Sequence, residues 1–284
     1  MPWLLRIGPR FGTFRYRGTE ERLVSFPVRN VQFESVFAQR YRRGYEPRVS
    51  TLLTHFLPRT GVFFDIGSNW GHFSLHVAAV TGRSVEIHAF EPQPSVADDL
   101  RAIVAQAGLA DVVTLHHMAL SNRRGDVRLS VPRGFESGLA RIVTDGPTGS
   151  VPAERLDDLE LPAPHVVKVD VEGHEAEVFS GAARILGESK PFVVFESTYD
   201  AAGGDASRAL QVLEALGYRA FEPVWKRTTG AGPMLSRDDA AALDAEAELV
   251  LRPVGVESRP LLPKYLNLVG CHSSRVEELG LVVV

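Results

Sequence analysis

Two hydrophobic patterns alternate along the middle of the chain. The run "VFFDIG" (62–67) is continuously apolar, apart from one acid, and reads as a buried strand. Trp70, Phe73, Val77 and Val80 then recur at helical spacing until Gly82. "VEIHAF" (85–90) predicts a second strand that ends at Glu91-Pro92. Ser95 with Asp98 predicts a capped helix carrying Val96, Leu100, Ile103 and Ala107, closed by Gly108. "VVTLHHMAL" (112–120) is read as a third strand and "HVVKVDV" (165–171) as a fourth, with a polar, hairpin-like insertion at 121–150 between them. A helix over 174–187, buried through Val178, Phe179, Ala182, Ile185 and Leu186, leads to a fifth strand, "PFVVFES" (191–197). A helix over 207–216, strand-like "YRAFEPV" and a final apolar strand, "YLNLVGC" (265–271), complete the pattern.

Strands alternating with helices of this length predict βαβ units, hence an α/β fold with a mostly parallel sheet. Ligands of such sheets sit outside the carboxyl ends of the strands. That rule singles out Asp65–Gly67, Glu91, Met118-Ala119, Asp170–Glu172 and Glu196.

Composition narrows the partners. The 284 residues carry a net charge of −4, which gives no global attraction to nucleic acid or anionic lipid. Arg6, Arg10, Arg15, Arg17, Arg22, Arg29, Arg40, Arg42, Arg43 and Arg48 crowd the start of the chain, a run read as a solvated face in preference to a phosphate patch. The single cysteine, Cys271, excludes an intrachain disulfide and a cysteine-based metal site. No window is long and apolar enough for a membrane span. The opening "MPWLLRIGPRFG" is interrupted by Arg6 and Pro9, unlike a signal peptide, so a cytoplasmic setting is expected.

The loop "GSNWG" (67–71) follows the first strand. Gly67 and Gly71 permit a sharp turn and close approach of a ligand to the backbone of Ser68 and Asn69, and the next helix aims its free N–H groups there. An acid closing the second strand, Glu91, can accept hydrogen bonds from both hydroxyls of a ribose. Asn69 and His72 stand where a dinucleotide fingerprint needs glycine, and no Gly-Lys-Ser/Thr of a P-loop follows. Asp65 before the loop disfavours a pyrophosphate but suits a ligand bearing an ammonium and a sulfonium, as S-adenosylmethionine does.

"DIGSNWGHFS", "AFEPQP", "ALSNRRGDVRL", "LDDL", "VVKVDVEGHEAEVFSGAARIL" and "PFVVFE" resemble the successive blocks of the FkbM family of S-adenosylmethionine-dependent methyltransferases, over roughly residues 45–272. Lys-x-Asp-x-Glu-Gly-x-Glu (168–175) is the most specific of these blocks. Ser68-Asn69-Trp70 departs from the family, which more often has Ala-Asn and a small or β-branched residue. The resemblance implies a Rossmann-like class I methyltransferase fold: seven strands in the order 3-2-1-4-5-7-6, strand 7 antiparallel, helices on both faces. It also implies methyl transfer to a hydroxyl of a sugar, glycan or natural product. The expected cofactor residues are Asp65, Gly67, Ser68, Asn69, Gly71, Glu91 and Pro92, with Met118 and Ala119 assigned to the adenine by position alone. Residues 1–44 match nothing in the family and are read as an Arg-rich extension to a domain over 45–284.

Lys168, Asp170 and Glu172 share one face of the fourth strand, an unusual charge density for a buried parallel strand. An internal ion-pair ladder would explain it. The functional alternative sets His174 as general base, with Asp170 and Glu172 orienting it or the acceptor. Carboxylate oxygens would suit Mg²⁺, but no spacing demands a metal, and metal-free chemistry is expected. Glu196 is a candidate for the acceptor pocket, Asn267 for a turn or strand cap, and His116 and His117 for satisfied core positions. The insertion at 121–150 and the segment 198–206 are expected lids. Two rivals stay open: a nucleotide-dependent oxidoreductase, and a catalytically silent S-adenosylmethionine-binding partner protein.

Overall fold

The computed structural model describes residues 11–27, 30, 45–130, 141–143, 150–198, 206–229, 232–279 and 282–283. Its first elements are strands β1 (Phe11–Arg17) and β2 (Glu21–Pro27), an antiparallel hairpin, and helix α1 (Pro47–Phe56). The βαβ region follows with β3 (Gly61–Ile66), α2 (His72–Val80), β4 (Val85–Phe90), α3 (Pro94–Gln106) and β5 (Val113–His116). Short strands β6 (Ala119–Leu120), β7 (Gly125–Ser130), β8 (Arg141–Val143) and β9 (Ser150–Glu154) come next, then β10 (Val166–Val169). Helices α4 (Glu175–Gly181) and α5 (Ala183–Ser189), strand β11 (Phe192–Thr198) and helix α6 (Ala206–Ala215) continue the chain. It closes with β12 (Tyr218–Thr229), β13 (Gly232–Ser236), α7 (Asp239–Ala242), β14 (Glu248–Val254), β15 (Tyr265–His272) and β16 (Val282–Val283).

The main sheet runs β16-β14-β12-β15-β11-β10-β3-β4-β5, with β13 on β12. Its seven strands from β12 to β5 have the expected 3-2-1-4-5-7-6 order, and β15 is antiparallel to both neighbours. The count differs from seven: β13, β14 and β16 extend the sheet to ten strands. Both faces of the central strands are covered, which explains the near-continuous apolar runs. Alternate residues of β3 enter different cores, Phe63 one and Val62, Phe64 and Ile66 the other.

Several boundaries differ from the sequence reading for identifiable reasons. The third strand stops at His116, whose carbonyl accepts the N–H groups of Glu91 (3.1 Å) and Met118 (3.0 Å). The chain turns there and leaves the main sheet for a four-stranded one, β6-β9-β7-β8, which forms part of the 121–150 insertion. The rest of that insertion (131–140 and 144–149) lies outside the described residues, as does the lid segment at 199–205. The fourth strand ends at Val169, and Glu172 (φ 54°) and Gly173 (φ 95°) turn away from extended geometry. The helix expected over 174–187 breaks at Ala182, where Gly181 sits so close to the Ser121 carbonyl that a Cβ would lie 1.9 Å from its oxygen. Helix α3 starts with Pro94 at its first turn and has no side-chain cap, so Ser95 does not cap it.

The hairpin is built into the larger core. Tyr16, Val24 and Phe26 belong to one apolar cluster with Phe63, Trp70 and Leu100. Trp70, the bulky departure in the glycine loop, meets Phe26 edge-on at 5.1 Å and Phe14 at 6.0 Å. The hairpin arginines pair with hairpin acids (Arg15 and Arg17 with Glu21, Arg22 with Glu20 at 2.7 Å), in keeping with a solvated face. Arg6, Arg10, Arg29, Arg40, Arg42 and Arg43 lie outside the described residues.

Phe26 is 0% exposed. Phe26→Ala should therefore cost about 3–5 kcal/mol in urea unfolding; an unchanged midpoint would show that the hairpin is not part of the folded core.

Candidate functional site

The carboxyl ends of β3, β4, β10 and β11 lie side by side and carry the acids. At the end of β3, Asp65 is fully buried. Ser74 Oγ donates to its Oδ2 at 2.7 Å, and Lys168 Nζ lies 3.9 Å from its Oδ1. Burial raises the Asp65 carboxyl, while Lys168 and Ser74 pull it back. Asp65, expected to face a ligand's ammonium, has the Lys168 ammonium as its charge partner, and its Oδ1 has no hydrogen-bond partner.

Lys168 is the hub. Its ammonium is 3.3 Å from Asp170 Oδ2, donates to the Gly67 carbonyl at 3.2 Å, and lies 4.9 Å from the centroid of Phe73. Burial works against this charge, but Asp170, Asp65 and Glu46 outweigh it, and the amine is raised. The ladder read from the sequence is thus real, and it joins β3 to β10.

The glycine loop is held by protein contacts. A Cβ on Gly67 (φ 75°) would lie 1.8 Å from the Asp170 carbonyl oxygen, and one on Gly71 (φ 92°) 2.4 Å from Leu100 Cδ1. Both glycines have a positive φ and pack closely against neighbouring elements, in keeping with the sharp turn their spacing suggested. Ser68 is buried, and its N–H and hydroxyl both donate to the Phe90 carbonyl (3.0 and 3.2 Å). Asn69 adopts a left-handed conformation (φ 49°), and its Oδ1 is buried without a hydrogen-bond partner.

Glu91, buried at the end of β4, receives the N–H of Asn69 on one oxygen (3.0 Å) and of Gln93 on the other (2.8 Å). Burial pushes its carboxyl to about 7 despite those bonds. Pro92 follows, its carbonyl 3.2 Å from His117 Nε2. His116 stacks on Phe90 at 4.5 Å and bonds His88 at 2.9 Å, whereas His117 is exposed and is not the core position expected of it. Met118 packs against the core under the sheet, whereas Ala119 is buried in the small sheet's own cluster with Leu129, Val151 and Ala153. That burial turns Ala119 away from the strand ends.

Beyond β10, one carboxylate oxygen each of Asp170, Glu172 and Glu196 lies within 4.8 Å of the other two. Burial, with Asp170, Glu172, Glu46 and Glu175 nearby, pushes Glu196 to about 8. Glu46, in a left-handed conformation at the start of α1, is pushed to about 7 by burial and by Asp170. Sequence reasoning missed Glu46, although an acid before the helix-starting Pro47 signals a helix entry. Glu175 accepts the N–H groups of Val171 and Gly173, each at 3.2 Å, and fixes the turn that presents Glu172.

His174 does not complete that trio. Its Nε2 lies 2.9 Å from Ser121 Oγ and its Nδ1 3.7 Å from Glu177, which also pairs with Arg208. Glu177 and Ser121 therefore orient the ring, the role expected of Asp170 and Glu172. Burial lowers its pKa, so the imidazole is neutral at physiological pH.

Glu91 and the partnerless Asn69 Oδ1 are acceptors, and they fit a ligand that brings donors, as ribose hydroxyls and an α-ammonium do. The sequence profile of the FkbM methyltransferase domain matches residues 65–220, from Asp65 through the acidic trio. The chain belongs to the FkbM methyltransferase family. S-adenosylmethionine is the cofactor this membership implies. The chain is 34% identical over 175 residues to the hexuronic acid methyltransferase AglP of Haloferax volcanii, covering 60% of this chain and 69% of that protein. A methyltransferase FkbM structure from Methylobacillus flagellatus superposes with a TM-score of 0.39 at 20% identity, covering 49% of this chain and 33% of that one. A precorrin-6y C5,15-methyltransferase from Geobacter metallireducens gives 0.45 at 20% identity, covering 84% and 94%. Among the described residues no helix is long and apolar enough to cross a membrane.

Four carboxyls here bind their protons more tightly in the folded chain than in the unfolded one: Glu46, Glu91 and Glu175 at about 7 and Glu196 at about 8, all from 4.5. Folding then takes up protons across that interval, and stability falls as pH rises through it. Burial lowers His72 to about 3 and His116 to about 4, which acts in the opposite direction below their ordinary value of 6.5. The ligand-free protein should therefore melt at progressively lower temperature from pH 6.5 to pH 8, with a shallower decline in Glu196→Gln. A melting temperature that rises over the same range would contradict the buried-acid geometry.

Proposed function

We propose that this protein transfers a methyl group from S-adenosylmethionine to a hydroxyl oxygen of a sugar or glycan. The observation that carries the reading is the convergence of Asp170, Glu172 and Glu196 at the strand ends next to the loop closed by Glu91. The sugar class is supported by the relative named as a hexuronic acid methyltransferase. Family membership speaks against the oxidoreductase rival, and the acidic trio speaks against a silent partner.

S-adenosylmethionine, when bound, supplies a methyl group already activated on a sulfonium. The chain must hold an oxygen in line and remove its proton. Orientation of this kind can provide ~7–11 kcal/mol of the barrier. Glu91 and Asn69 are the residues suited to hold the cofactor's donors, with Ser68, Gly67 and Gly71 shaping the loop and Pro92 and Met118 beside it. The hairpin of β1 and β2 buttresses that loop through Phe14 and Phe26 on Trp70. For the proton, Glu196 is the favoured base, because a carboxyl held at about 8 is matched to neutral-pH proton transfer. Asp170, tied to Lys168, orients the acceptor, and Glu172 lies beside both acids. Mg²⁺ is not required in this reading, and the family match adds nothing in its favour.

A second reading retains His174 as base, favoured by its neutral ring and by Glu177 on Nδ1. Kinetics of two variants on an acceptor that the parent methylates separate the readings. Under the first, Glu196→Gln lowers kcat by ~10²–10⁴-fold and abolishes the acidic limb of the rate–pH profile, while His174→Ala costs less than about tenfold. The opposite pattern assigns the base to His174.

A further inference from the structure

The end of the β11–β15 ladder has two unlike faces. Glu196 pairs with Asn267 and Thr198 with Tyr265. Residues directly opposite in a ladder, and residues two apart in a strand, share a face. Glu196, Asn267, Thr198 and Tyr265 therefore form one continuous strip. Exposure confirms the division: Phe195, Ser197, Leu266 and Leu268 on the other face are buried, whereas the strip is half-buried at Glu196 and opens outward to Tyr265, 58% exposed.

We propose that this strip is the acceptor subsite and that Tyr265 is its specificity residue, stacking against the C–H face of a pyranose ring. The proposal rests on the sugar reading above and specifies how the sugar is held. A tyrosine ring offers an electron-rich face to polarised C–H groups and a hydroxyl to the water side. Thr198 and Asn267 supply hydrogen-bonding groups on the same face between Tyr265 and Glu196, and Glu196 stands at the inner end, where the acidic trio receives the hydroxyl to be methylated. A stacked ring thereby sets which hydroxyl reaches Glu196.

The strip is held rigid from behind by a buried cation. Arg259 is 0% exposed, and its guanidinium donates to Ser197 Oγ (2.7 Å) and the Ser197 carbonyl on β11. It also donates to the carbonyls of Pro263 (2.9 Å) and Lys264 (2.8 Å), immediately before Tyr265. One side chain thus ties together the two strand ends that carry the strip, and pre-organisation of this kind reduces the ordering cost of binding. Lys264 Nζ lies 5.0 Å from the centroid of the Tyr265 ring, an exposed contact that a sugar can displace.

The test uses labelled S-adenosylmethionine with methyl glucoside, methyl galactoside, methyl glucuronide and the open-chain polyol sorbitol. The parent should methylate at least one pyranoside in preference to sorbitol. Tyr265→Ala should raise KM for that pyranoside about tenfold, with kcat within about threefold. Tyr265→Phe, which keeps the ring, should restore most of the affinity, and binding of S-adenosylhomocysteine should match the parent in both variants. A parent that methylates a pyranoside while Tyr265→Ala leaves KM unchanged, or lowers kcat alone, overturns the strip and leaves the sugar reading standing. A parent that methylates none of the pyranosides overturns both.

Discussion

A lysine ammonium buried under a parallel sheet organises this protein. Lys168 stands in β10 with every neighbouring residue of the strand buried, and it faces Asp65 on β3, Asp170 at its own strand end and the Gly67 carbonyl. A charge of either sign left alone at such depth costs several kcal/mol. Removing Lys168 would strand Asp65, which has no exposed surface and whose Oδ1 has no hydrogen-bond donor. The ammonium thus compensates the acid of the first strand, steadies the acid that begins the acidic trio and anchors the glycine loop.

Two further contacts depend on that junction. The close approach of β3 and β10 brings the Asp170 carbonyl against Gly67, so no side chain fits at that glycine. The loop leaving Gly67 is then packed from outside by Trp70 on Phe14 and Phe26. The glycine loop is held between a charge beneath it and an aromatic cluster above it. Beside it, Glu91 accepts the N–H groups of Asn69 and Gln93, and Asn69 Oδ1 is buried without a hydrogen-bond partner. On the neighbouring strand, Arg259 fixes the end of β11 as Lys168 fixes that of β10.

Much of this was legible in the chain, because buried parallel strands announce themselves as apolar runs and a strand-end acid stands out against them. Five of the central strands, Glu91 and the charged alternation around Lys168 were found in that way, and the strand order came with the family resemblance. What was illegible depends on contacts distant in sequence. The break at Ala182 reflects the Ser121 carbonyl beside Gly181, and the need for Gly67 reflects the Asp170 carbonyl. The pairing of Asp65 with Lys168 across the ladder was likewise out of reach, because a sequence shows a strand end but not its neighbour in the sheet. His174 was drawn to the trio by proximity in sequence, whereas the turn at Glu172 and Gly173 sends it to Ser121 and Glu177. The three outer strands, β13, β14 and β16, lie where the pattern is short and mixed with polar residues.

The Lys168–Asp65 junction is tested most directly by a double-mutant cycle in urea unfolding at neutral pH. Lys168→Met alone should destabilise by about 3–5 kcal/mol, because it leaves a buried carboxylate without its cation. Asp65→Asn in that background should recover part of the loss, giving a coupling energy above about 1 kcal/mol between two side chains whose charged atoms lie 3.9 Å apart. Additive effects of the two substitutions would contradict the account.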